Sequence, residues 1–199
     1  FVGMADYPIL KLPLLMTRNI SKKILDKINY SNYKSDIILP AYLRRKLILK
    51  NLVSSKDVVT DFLFRRKFAD GLYNDNRFAR KEFINNIIAN DYIMCYRGAA
   101  NYSIRFYETL CLGRVPLFIN TDCKLPFHNV INWNEICIWI DETELKYIPN
   151  HLIEAHMSIT DNQFIERQNY CREIWVKYLS NEGFNKNFSL LIDNVDNNV

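Results

Sequence analysis

No two cysteines in this chain form a C-x-x-C pair. The five present, Cys95, Cys111, Cys123, Cys137 and Cys171, are odd in number and stand far apart. That spacing argues against a zinc knuckle and a disulfide framework. The expected setting is therefore reducing, in the cytoplasm or peripheral to a membrane. No apolar run approaches the length of a bilayer span, and no secretory signal is visible. Internal repeats of solenoid length are missing too. His151 and His156 lie five apart, a spacing that does not bring them to one helix face as a metal pair. Basic residues interleaved with an aromatic platform are absent, and a net charge of +4 suits ordinary solvated surfaces. Nucleic acid is not an expected partner.

Hydrophobic residues make up 49% of the 199 residues, enough for one domain with a sizeable core. The chain opens on "FVGM", without an initial Met, as a fragment cut at the start of a strand would. Pro8 and Pro13 interrupt the next stretch, where an irregular loop around a short helix is expected. "AYLRRKLILKNLV" reads as an amphipathic helix with Leu43, Leu47 and Leu49 inward, and "DVVTDFLF" is β-rich. "RFARKEFINNIIAND" predicts a helix with Phe78, Phe83, Ile87 and Ile88 on one face. "YIMCY", "VPLFIN" and "ICIWID" are short apolar runs typical of strands buried on both faces. From Glu142 onward the chain reads as mostly helical, ending in a polar tail. Alternating strands and helices predict an α/β fold: a Rossmann-like, open, mostly parallel sheet with helices on both faces. Residues 1–184 are expected to form a single domain, with 185–199 the end of a C-terminal helix and its tail. The basic clusters at 44–46, 65–67 and 77–81 read as solvated helix faces and loop ends.

One loop does not fit that pattern. "RGAANYSIRFYETLCLG" leaves the carboxyl end of a strand and enters a helix, with Arg97 and Arg105 at the positive end of the helix dipole. Gly98, Ala99 and Ala100 permit close backbone approach, and Ser103 adds a hydroxyl near the free N–H groups of the first turn. On a helical wheel Arg105 and Glu108 fall together, opposite the apolar arc of Ile104, Phe106, Tyr107, Leu110 and Cys111. A diphosphate between the arginines, with Glu108 accepting from a ribose diol, would resolve the conflict with the dipole. On spacing alone a plainer reading stands level: an Arg105–Glu108 surface pair worth about 0.2–0.5 kcal/mol, and an Arg97 that solvates its loop. Asp122, just past a strand end, is placed either against the ligand or as a turn cap. His128 is either a base or a solvated loop histidine, Trp133 and Trp139 are assigned to the core, and Arg65 and Arg66 are more distant candidates for the same crevice.

Several motifs occur in one register: Arg97–Gly98, Ser103, Arg105, Glu108, Gly113, Pro116 and Leu125–Pro126–Phe127, continuing through "VINWNEICIWIDE". In this order they resemble the C-terminal half of exostosin-family glycosyltransferases, most closely over residues 77–142. The resemblance implies one half of a GT-B fold that binds a nucleotide-sugar, usually a UDP-sugar, for inverting transfer to a glycan acceptor. It implies a donor-binding set of Arg97, Gly98, Asn101, Ser103, Arg105, Glu108 and Asp122. A further N-terminal domain would bind the acceptor and supply the catalytic base, to which no residue of this chain is assigned. No Asp-x-Asp triplet is present, so the resemblance implies no metal or other cofactor, with arginines in place of a divalent cation. The alternative is a noncatalytic module that binds a nucleotide or a partner protein in the same crevice.

Overall fold

A computed structural model of the chain describes residues 2–3, 12–27, 41–65, 77–98 and 100–192. Ordered along the chain, the elements are β1 (Val2–Gly3), α1 (Leu12–Lys27), α2 (Ala41–Ser54), β2 (Leu63–Phe64), α3 (Arg77–Ile88), β3 (Tyr92–Cys95), α4 (Ile104–Cys111) and β4 (Val115–Asn120). They continue as α5 (Trp133–Ile136), β5 (Ile138–Asp141), a 3-10 turn (Glu142–Tyr147), α6 (Ile148–Met157), α7 (Asp161–Ile174), a π turn (Trp175–Leu179), α8 (Asn181–Asn187) and α9 (Ser189–Ile192). β1 pairs with β2, and a second sheet runs in the order β3-β4-β5, with every pairing parallel. The α/β architecture read from the alternation is the one observed.

Helices cover both faces of the three-stranded sheet because its strands are apolar on both sides. On one face Cys95, Val115 and Phe118 pack under Phe106 and Leu110 of α4, Trp133 and Ile136 of α5, and Cys171 and Ile174 of α7. On the other, Met94, Leu117, Ile119 and Ile140 meet Ile48, Leu49 and Leu52 of α2 and Ile148 and Leu152 of α6. Gly113 closes the α4 segment at φ +62°, a left-handed conformation open to glycine without steric cost.

Several local expectations are corrected. The second residue of α1 is Pro13, and this helix is 16 residues long where a short one was expected. A proline in the first turn gives up only an N–H that has no helical partner anyway. In α2 the buried face is Ile48, Leu49 and Leu52, while Leu47 points outward; in α3 it is Ala79, Asn86 and Ile87, with Phe78 and Ile88 exposed; in α4 the first residue, Ile104, is exposed rather than part of the apolar arc. Asn86 is held inside by its bond to Asp61 Oδ2 at 2.6 Å, a polar contact that apolar periodicity does not register. β5 alternates buried and exposed residues, so one of its faces is only partly covered and Trp139 lies partly bare.

The register of α4 depends on Phe106, whose ring lies 5.1 Å from Phe118 and 5.3 Å from Trp133. Phe106→Ala should cost about 3–5 kcal/mol of unfolding free energy through lost burial and the cavity left behind. Urea denaturation measures it, and a loss below about 1 kcal/mol would show that this ring does not anchor the helix.

Candidate functional site

β3 ends at Cys95, and the next residues, Tyr96 and Arg97, are both buried. Burial of Arg97, at 8% exposure, removes the loop-solvating reading of this residue. Arg105 comes from the first turn of α4 on one face of the sheet. Arg45 comes from the first turns of α2 on the other, and its Nη2 donates to the Arg97 carbonyl at 3.0 Å. The two helix layers thus deliver cations to the carboxyl end of one strand. α4 starts close by, with Ser103 as its N-cap, and its N-terminal N–H groups add further positive potential.

These charges interact. Desolvation lowers the Arg45 pKa to about 10, and repulsion from Arg105 contributes to the same shift. Arg105 is lowered too, chiefly by desolvation, against attraction from Glu108. A guanidinium keeps its proton at any working pH. The shifts therefore express the free-energy cost of holding charge in this crevice, a cost that a bound anion would relieve.

Carboxylates stand at the margins of the cluster. Glu142, after β5, accepts from Arg44 at 2.8 Å and from the Tyr96 hydroxyl at 2.6 Å. Burial, reinforced by that carboxylate, raises the Tyr96 pKa and keeps its hydroxyl a donor. Glu108 pairs with Arg80 of α3 at 2.9 Å through Oε1, so the expected Arg105–Glu108 surface pair is not the one formed. Arg105 lies instead with its guanidinium 5.8 Å from the Phe83 ring centre.

The remaining sequence candidates are placed as follows. Gly98 follows Arg97, and a Cβ there would meet no atom within 4 Å, which leaves open space beside the backbone. Ser103 is buried at the head of α4, but its side chain does not cap the helix. Asn101 straps two loops together: its Oδ1 accepts from Thr121 Oγ1 at 2.6 Å and its Nδ2 donates to the Asp122 carbonyl at 3.3 Å. Asp122 itself is exposed in a turn at φ 59°, with its N–H on Asn120 Oδ1. Ala99 and Arg66 lie outside the described residues. Arg65 is engaged by Glu82 at 3.0 Å and the Ala79 carbonyl at 2.8 Å, tying β2 to α3. His128 is exposed, His151 faces Glu144 at 3.5 Å, and His156 accepts or donates opposite the Tyr92 hydroxyl at 2.9 Å. Trp133 fills the core as expected, whereas Trp139 does not.

Arg44 and Arg45 are the residues that sequence reasoning missed. Their cluster looked like a solvated helix face, and the signal available was position: two arginines near the start of a helix oppose its dipole just as Arg105 does. Among the described residues, no group of three or more metal-ligating side chains comes together.

Residues 42–156, more than half of the chain, match the family model described as "Exostosin GT47 domain". The chain is 29% identical over 110 residues to a probable glucuronoxylan glucuronosyltransferase of Arabidopsis thaliana, a match covering 55% of this chain and 22% of that protein. It is 29% identical over 106 residues to "Exostosin-1 homolog" of Caenorhabditis elegans (53% and 27%), and 31% identical over 84 residues to "Exostosin-1" of Bos taurus (42% and 11%). The matched segment spans about a quarter of the length of the first two relatives.

An anion that fits between the arginines should stabilise the fold. Pyrophosphate is expected to raise Tm beyond the effect of sodium chloride at equal ionic strength, by up to about 2.7 kcal/mol of stability at a hundred times its Kd. Arg45→Gln keeps a donor for the Arg97 carbonyl but removes the charge, and should lose most of that rise. An equal rise in both proteins would dissociate Arg45 from the crevice.

Proposed function

This chain belongs to the exostosin GT47 family, and on that premise we propose that it forms the nucleotide-sugar-binding half of an inverting glycosyltransferase. The observation that carries the proposal is the meeting of Arg45, Arg97 and Arg105 at the carboxyl end of β3, delivered from both faces of the sheet. Ligands of open parallel sheets bind beyond the carboxyl ends of their strands, and desolvation of Arg45 and Arg105 makes it costly to hold charge at this end.

In this reading the diphosphate of a UDP-sugar lies against Arg97, Arg105 and the first turn of α4. Arg45 completes the cluster from α2. Departure of the nucleotide places developing negative charge on the phosphate oxygen that leaves the anomeric carbon. Guanidinium groups and helix N–H groups already aimed at that position stabilise the charge without reorganising. The cluster supplies what a divalent cation supplies in metal-assisted transfer, so no metal is proposed. Glu108, held at Oε1 by Arg80, turns its other oxygen to the ribose hydroxyls. Gly98 leaves room for the ligand, while Asn101 and Ser103 shape the loop, and Asp122 stands on its rim. A glycan acceptor and the catalytic base belong to a further, N-terminal domain of the enzyme. The glucuronosyltransferase names among the relatives make a uronic acid the first donor sugar to try.

Calorimetry with UDP and UDP-sugars tests the proposal. Arg105→Ala should weaken UDP binding by about 30-fold or more, the usual loss for a buried charge-paired contact, and Glu108→Ala by about tenfold. Gly98→Ala should leave Tm unchanged, since its methyl meets no atom of the fold, yet reduce affinity. Equal binding by wild type and the two charge variants, with the fold retained, would remove the assigned site.

A further inference from the structure

The loop that leaves β4 also lines a second cavity. Its volume is about 390 Å³, and it is bounded by residues 128–134 and by Trp139 of β5. That size falls at the small end of ligand pockets, which run from about 300 to 1,000 Å³. The lining contains no Asp, Glu, Lys or Arg, and His128 is its titratable group.

Two of its polar side chains are already committed. Trp133 donates its indole N–H to the Pro126 carbonyl at 3.0 Å, and Asn132 donates to Glu135 at 2.7 Å. By contrast, the side chains of His128, Asn129 and Asn134 and the Trp139 indole N–H have no hydrogen-bond partner among the described residues. Trp139 is the informative member. Its neighbours in the strand, Ile138 and Ile140, are buried, and Phe118 supports its ring from 4.8 Å, yet Trp139 remains 36% exposed. A large aromatic ring held from behind and bare in front is a rigid platform for stacking.

The chemistry of the lining selects among ligands. An amide both donates and accepts, which matches a hydroxyl that does the same. A phosphate or carboxylate would find no Lys or Arg here, and a purely apolar ligand would strip water from three side chains without replacing it. A pyranose has an apolar C–H face for the indole and a rim of hydroxyls for the amides. We propose that this cavity binds an uncharged pyranose residue of a glycan chain, stacked on Trp139 and hydrogen-bonded by Asn129, Asn134 and His128. The source of that glycan rests on the glycosyltransferase reading; the chemistry of the cavity does not. A single loop runs from Thr121 and Asp122, both bonded to Asn101 of the loop that follows Arg97, to His128, so the two sites share one connecting segment.

The test titrates the chain with neutral xylo-, cello- and chito-tetraoses, followed by tryptophan fluorescence and calorimetry, and titrates UDP separately. At least one tetraose is expected to bind saturably and to perturb tryptophan emission. Trp139→Ala and Asn134→Ala should each weaken it about tenfold or more, while Trp139→Phe, which keeps a stacking face, retains most of the affinity. UDP affinity should be unchanged in all three variants. Because the two ligands are read independently, failure of the donor site and failure of this cavity give different results. Absence of saturable tetraose binding to the wild type, or binding indifferent to all three substitutions, overturns the proposal. So does a change of oligomeric state in Trp139→Ala, by light scattering, in place of a saccharide effect, since that would assign the exposed indole to protein contact.

Discussion

Like charges held close together at one end of a parallel sheet are the constraint that the rest of this molecule accommodates. Arg45 and Arg105 repel one another across the carboxyl end of β3, and both lose hydration there. Such an arrangement is unfavourable in isolation and survives only because the elements that carry it are fixed elsewhere. α4 is held by Phe106 and Leu110 on one face of the sheet, and α2 by Ile48, Leu49 and Leu52 on the other. Each such side chain contributes about 1.5–3 kcal/mol through burial. A handful of them outweighs the electrostatic cost, leaving a site that is strained in charge but rigid in shape.

Positions of the acidic residues show how that cost is limited. Glu142 sits to one side, shared between Arg44 and Tyr96, and Glu108 sits to the other, paired with Arg80. Each carboxylate has its close partner at the edge of the cluster, so the edges are neutralised.

How much of this was legible beforehand differed by element. β3, β4 and α4 could be read closely, because an apolar run followed by an amphipathic helix with a glycine stop has few alternative folds. The buried faces of α2 and α3 could not, since polar partners such as Asp61 for Asn86 hold positions that apolar periodicity assigns to solvent. Within the site, Arg97, Arg105 and Glu108 stood out because their charges conflict with a helix dipole over a short stretch of chain. Arg45 did not, because its meaning depends on a strand about fifty residues later. Trp139 was misplaced for a related reason: whether an aromatic in a strand is covered depends on whether another element packs over its face of the sheet, and that face of β5 stays partly open at Trp139.

The sequence by itself determined the local order: which segments become parallel strands, where α4 begins and ends, and that a cationic loop precedes it. Backbone propensity, apolar spacing and the helix dipole act over a few residues, so they are written in neighbours. Only the tertiary structure decided that α2 brings Arg45 to the same point from the opposite face, that Glu108 answers to Arg80, and that Trp139 stands open beside a cavity. Those outcomes depend on packing between segments distant in the chain, where the burial of many side chains sets positions that no single stretch encodes.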